Sequence, residues 1–285
     1  MDTLPREIHK EIVSWLAPEE QQMTRLVGRY WARLIEPARV NLLEFGAWHG
    51  IVGYCEVGLL RGDSPSGVYS IAIHRGHLGV AVWARSRGQP WDERTCSWAA
   101  GNGRLEILKW LRGDLNFPTS QSGKITSERS ENTVCPWNET TYHVAALNGH
   151  LEILKYAHES GCPGNTVWTC ANAAMGGHLE VLKWARSNGY PWDAETCTSA
   201  AKFGHLEILK YAHESGCPWD AMTCYTAAWR GHLKVLKYAH ESGCPWDCQN
   251  ADVREFPKNT RRYVLQLQGL GGTPTVASGA TARRW

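Results

Sequence analysis

The fold is decided by GHLEILKYAHESGCPWDAMTCYTAAWR, residues 204–230. It is preceded by GHLEVLKWARSNGYPWDAETCTSAAKF, residues 177–203, and followed by GHLKVLKYAHESGCPWD from Gly231. Outward from there, the opening glycine recurs at Gly231, Gly204, Gly177, Gly149, Gly103 and Gly76, with spacings of 27, 27, 28, 46 and 27 residues. The spacing of 46 is one repeat plus an insertion of 19 residues, and a weaker copy starts at Gly50. A fixed period of this size is the signature of stacked supersecondary units.

Each unit reads as two short helices. HLEILKYAHES puts Leu206, Ile208, Leu209 and Ala212 on one apolar stripe, and Gly216 stops the helix. After CPWD, Asp220 serves as N-cap and Thr223 to Ala228 supply small, closely packing residues for the other helix. The first kind is termed Leu-led here and the second Ala-pair. Isolated helices need roughly 12 to 15 residues to be even marginal in water, so units of this length must stack on their neighbours. The pairs Ala99-Ala100, Ala145-Ala146, Ala173-Ala174, Ala200-Ala201 and Ala227-Ala228 predict close helix approach. Extra bulk there would cost about 1 to 3 kcal/mol by overpacking.

The pattern TCxxAAxxGHLEVLK resembles the ankyrin repeat, in which a Thr opens the first helix, an Ala pair follows, and Gly-His-Leu-Glu leads the second. The resemblance covers about residues 44–250 and implies an all-α, ankyrin-like solenoid of about seven helix pairs. A standard unit has about 33 residues, and the deficit here falls where that family carries a projecting β-hairpin. The link is GCPW or GYPW instead, which predicts a tight turn with Trp folded over the helix ends. Short CPWD-type units of this kind are similar to the ankyrin-type arrays of giant DNA viruses and some protists.

Residues 1–40 have no counterpart in the repeat. Leu4, Ile8, Ile12, Trp15 and Leu16 form one helical face, closed by Pro18; Leu26, Val27, Tyr30, Trp31 and Leu34 form another, closed by Pro37. The segment is similar to an F-box in its Leu-Pro opening, Glu7-Ile8, Ile12, Leu16, Arg25-Leu26-Val27, Arg29 and Trp31. It departs from that pattern in the middle, where Glu20-Gln21-Gln22-Met23 replaces an Asp-Leu-Leu-like run. The resemblance implies docking on a Skp-type adaptor of a cullin ubiquitin ligase, with Leu4, Pro5, Ile8, Ile12, Leu16, Leu26, Val27 and Trp31 facing the adaptor or holding the helices that do. The other reading is an amphipathic cap on the first repeat.

Composition bounds the rest. The chain has 285 residues, a formal charge of +2, 43% hydrophobic and 20% charged residues, which excludes a disordered or collagen-like chain. No apolar run approaches the roughly 18 to 20 residues that span a bilayer, and MDTLPREIHKEIV is too charged for a signal peptide. The expectation is an intracellular protein, cytoplasmic or nuclear, in the host cell if viral, with its ten cysteines reduced. Near-neutral charge argues against a dedicated nucleic-acid binder. Residues 251–285 carry six basic and two acidic side chains and read as a loose basic tail; residues 113–134 read as a polar loop.

Other constellations follow the period. His240, Cys244 and Cys248 have a spacing compatible with zinc ligation, yet His213 and Cys217 repeat the first two without the third. They read as packing residues, so no metal and no cofactor is expected. The histidines after the repeat glycines read as ties to backbone carbonyls of neighbouring units, and Glu180 with Lys183 or Glu207 with Lys210 as a solvated i,i+3 face. Nothing breaks the period to assemble a nucleophile, a base and a pocket, so no enzyme is expected. Variable positions hold Trp98, His143, Lys202, Phe203, Tyr225, Trp229 and Arg230, of residue types that anchor interfaces. These residues are the candidate contacts for an unknown protein target.

Overall fold

A computed structural model describes residues 41–60, 67–114, 134–164 and 166–270. The F-box-like segment, with Leu4, Pro5, Ile8, Ile12, Leu16, Leu26, Val27 and Trp31, lies outside the described residues, as does residue range 115–133 of the insertion.

Among the described residues there are fifteen α-helices, two 3-10 turns and no strand. Seven helices in the Ala-pair position, five of which carry the pair, alternate with seven in the Leu-led position, of which α2 opens on Val52 instead: α1 (Leu42–His49) and α2 (Val52–Leu60), α3 (Val68–Arg75) and α4 (Leu78–Ser86), α5 (Glu93–Gly101) and α6 (Leu105–Leu111), α7 (Glu139–Leu147) and α8 (Leu151–Glu159), α9 (Val167–Gly176) and α10 (Leu179–Ser187), α11 (Ala194–Phe203) and α12 (Leu206–Glu214), α13 (Ala221–Arg230) and α14 (Leu233–Glu241). A last helix, α15 (Lys258–Leu267), follows the 3-10 turns Cys248–Asn250 and Val253–Glu255. No helix among the described residues is long and apolar enough to cross a membrane.

The described chain divides into two compact units. One runs to Pro163, apart from Ala146–Leu151, which go with the other, and the second continues from Gly164. In the first, α1 packs on α2 and α3, α3 on α4 and α5, and α5 on α6, over a core that includes Leu43, Ala72, Ile73, Ala99 and Leu108. In the second, α9, α11 and α13 lie side by side, each also packed on its own Leu-led helix. Ala173, Ala174, Ala200, Ala201, Ala227 and Ala228 are all 0% exposed, leaving no room there for a larger side chain. The Leu-led helices bury a narrow stripe, such as Ile208, Leu209 and Ala212 of α12.

The boundaries follow from local chemistry. The Asp220 side chain accepts from the Met222 amide (3.0 Å), and Asp193 accepts from Glu195 (3.1 Å). Asp92 and Thr95 cap α5 reciprocally, Thr95 Oγ1 accepting from the Asp92 amide at 3.1 Å. At the other end, Gly204 stops α11 with φ +82°. A Cβ there would lie 2.7 Å from the His232 ring, so conformation and contact both demand glycine.

The insertion leaves the frame of the first unit intact. The Cys135 amide donates to the Leu111 carbonyl at 2.9 Å, and Arg112 donates to the Cys135 carbonyl. Cys-Pro therefore closes the unit as it does elsewhere, where the Cys162 and Cys217 amides donate to the carbonyls of Ala157 and Ala212.

The sequence reading of a loose tail over residues 251–285 needs correction for residues 251–270, while residues 271–285 lie outside the described residues. Phe256 and Val264 are buried, and Thr260 Oγ1 donates to the Ala228 carbonyl at 2.7 Å while Asn259 Nδ2 donates to that of Gly231, also at 2.7 Å. Helix α15 takes the position of a Leu-led helix whose Ala-pair partner is replaced by the two 3-10 turns. Arg261, one of the six basic residues of that stretch, donates to the carbonyls of Val253 and Phe256. An end unit covers the last carbonyls and turns a polar side outward, and this demand departs from the internal consensus.

Candidate interaction surface

Within each compact unit the period-locked histidines tie one repeat to the next. In the second unit His178, His205 and His232 donate from Nε2 to the carbonyls of Leu147, Met175 and Lys202, each at 3.1 Å. In the first, His77 donates to Trp48 at 3.0 Å, and Arg104 takes the same role toward His74. Each imidazole is held by a backbone oxygen about one repeat upstream, as the sequence led us to expect.

Turn residues are similarly occupied. Trp192 lies between the Arg186 guanidinium, 4.1 Å from its ring centroid, and the Tyr211 ring at 6.3 Å. Trp91 is held by Arg85 (3.8 Å) and Trp110 (5.8 Å), and Trp219 stacks on His213 at 3.7 Å. The turn thiols of Cys135, Cys217 and Cys244 donate to the carbonyls of Asp92, Asp193 and Asp220 at 3.1–3.2 Å. All ten cysteines are free and buried. Burial pushes the thiols of Cys55, Cys162 and Cys170 up to about 12. Cys197 and Cys224 are raised further, first by hydrogen bonds to Cys217 and Cys244 and then by burial. Among the described residues no group of three or more His, Cys, Asp or Glu side chains is arranged to hold a metal ion. His240 faces the Tyr263 hydroxyl at 3.4 Å.

With the framework engaged, the variable positions define what remains for a partner. Trp98 and His143 belong to the first unit and are half-buried. The Trp98 ring lies 5.8 Å from His74, and burial lowers the His143 pKa, with Glu139 opposing. Lys202, Phe203, Tyr225, Trp229 and Arg230 belong to the second unit. Lys202 and Phe203 end α11, and Trp229 and Arg230 end α13; Phe203 is 44% and Trp229 46% exposed. The Lys202 ammonium lies 5.7 Å from the Phe203 ring, and the Arg230 guanidinium 4.6 Å from Trp229. Tyr225 is drawn into the closing segment, its hydroxyl donating to Glu255 at 3.0 Å and its ring 6.0 Å from Phe256.

Sequence reasoning missed three exposed side chains: Trp48 on α1, and Trp168 and Met222 in the first turns of α9 and α13. Trp168 and Met222 occupy the same position, immediately before the Thr that opens the helix pattern. That shared register was a readable signal. Trp48 lies in the weakest copy, with the Arg75 guanidinium 3.3 Å over its ring.

The family model described as ankyrin repeats (many copies) matches residues 142–186 and 197–240. No curated protein matches the chain. The matches fall on the helix pairs in which the histidine ties and buried Ala pairs recur without interruption. Residues 142–240 are therefore built of ankyrin repeats, and ankyrin repeats are scaffolds for binding other proteins.

Proposed function

We propose that this chain is the substrate-recognition subunit of a cullin-type ubiquitin ligase. Its F-box-like segment binds a Skp-type adaptor through Leu4, Pro5, Ile8, Ile12, Leu16, Leu26, Val27 and Trp31, and its ankyrin-like array holds the target. The mechanism is proximity: a bound target is carried to the ubiquitin-conjugating enzyme, and this chain makes and breaks no bonds. The resemblance of residues 1–40 to an F-box supports the ligase arm. The observation that carries the binding arm is the exposed pairing of rings and cations, Lys202 with Phe203 and Trp229 with Arg230, at the ends of two adjacent Ala-pair helices. Trp and Arg dominate interface energetics where they are presented on a rigid scaffold.

Co-purification of the full chain with a Skp-type adaptor tests the first arm. Leu4→Asp/Ile8→Asp should lose the adaptor and keep the target, whereas Trp229→Ala should do the reverse. Adaptor binding that survives the double substitution removes the ubiquitin link and leaves a scaffold or decoy.

A further inference from the structure

In the second unit α11 and α13 end in register. Gly204 and Gly231 stop them at equivalent points, and His232, one residue past Gly231, donates to the Lys202 carbonyl at 3.1 Å. Lys202-Phe203 and Trp229-Arg230 therefore stand on neighbouring positions of one edge. Neither Lys202 nor Arg230 has a carboxylate within ion-pair distance among the described residues. The lysines of the Leu-led helices do, as in Lys183 with Glu180 at 2.8 Å and Lys210 with Glu207 at 3.0 Å. The carboxylate on α11, Glu195, lies at the opposite end of that helix. A cation in the last turn offsets the helix dipole, which accounts for the charge and leaves the exposed rings beside it unexplained.

We infer that this edge binds an acidic, extended segment of a protein partner, with carboxylates on Lys202 and Arg230 and an apolar side chain against Phe203 and Trp229. The inference rests on the reading of this edge as a target-binding surface. Packed helices lie about 8–10 Å apart and an extended chain advances about 3.3 Å per residue. Roughly three residues thus cross one repeat, so the carboxylates belong at positions i and i+3 with the apolar side chain between them. Nucleic acid fits less well, because its affinity grows with the number of phosphates neutralised, and this edge offers two cations on a chain of net charge +2.

The test is fluorescence anisotropy on the full chain with three labelled probes: a peptide of repeating Asp-Leu-Phe triplets, the same peptide with Asn for Asp, and oligouridine. The Asp peptide should bind, more weakly as salt rises, and K202E/R230E should weaken it by about tenfold or more. A K202Q/R230Q variant, matched in thermal unfolding to the parent, should fall between them. Equal binding of the Asn peptide, no binding of the Asp peptide, indifference to charge reversal, or tighter binding of oligouridine would each overturn the inference. If the Asn peptide binds equally and Trp229→Ala abolishes it, the surface stands and the acidic partner falls. If Trp229→Ala leaves target capture unchanged, the surface reading itself falls.

Discussion

The His232 imidazole donates from Nε2 to the Lys202 carbonyl at 3.1 Å, while its Nδ1 edge fills the space that a side chain on Gly204 would need. One residue thus satisfies the end of α11 and fixes how closely α14 approaches it. His178 and His205 repeat the arrangement upstream.

Replacing this histidine leaves a helix-end carbonyl without its donor in a half-buried setting. His232→Ala should destabilise the chain by about 1 to 3 kcal/mol, the cost of an unmet buried polar group. Urea unfolding followed by circular dichroism checks this, and an unmoved midpoint would mean that the tie contributes nothing net.

Ala200 is 0% exposed in the packing of α11. Ala200→Leu should cost about 1 to 3 kcal/mol through overpacking and lower the melting temperature. An unchanged thermal transition would count against the close-packed assignment of the Ala pairs.

Helix α15 closes the array through Thr260, whose hydroxyl is buried and 2.7 Å from the Ala228 carbonyl. Thr260→Val keeps the shape and removes the donor, so it should cost about 1 to 3 kcal/mol. Hydrogen exchange should show the amides of α13 and α14 opening more readily in the variant. Loss of protection confined to α15 would show that the helix merely rests on the array.

Ala200, Ala201 and His205 recur at a fixed stride because each meets the same neighbour in every unit, so their roles were legible from spacing alone. Thr260 and Asn259 meet the carbonyls at the array's end with a different donor chemistry, so the period gave no hint of α15. Tyr225 varies and so reads as a partner contact, but its hydrogen-bond acceptor, Glu255, comes from the segment without a period. Trp168 and Met222 share a register that the sequence displays, but which side of the helix the neighbours leave open follows only from packing. Of the candidate surface, spacing alone marks Lys202, Phe203, Trp229 and Arg230 as variable, while their pairing as cation and ring and their distance from carboxylates follow only from packing.

The buried thiols make two linked predictions. Cys55, Cys162 and Cys170 are pushed by burial from an ordinary value of 9.0 to about 12. Little thiolate then forms at these three at pH 8; Cys244, lowered chiefly by its hydrogen bond with Cys224, is shielded from reagents by burial, as are the other sulfurs. Native protein should give almost no reaction with a thiol-specific chromogenic reagent, and denatured protein should give ten equivalents. The same shift sets the sign of the alkaline response. A thiol whose folded pKa is raised stays protonated while the unfolded chain ionises, so the unfolded state binds fewer protons above pH 9. The stabilisation is fully present below that pH and is lost as pH rises toward 12. Melting temperature should therefore fall between pH 9 and 11, and Cys170→Ser or Cys170→Ala should flatten that fall; a flat profile in the parent chain would show that these thiols ionise as easily folded as unfolded.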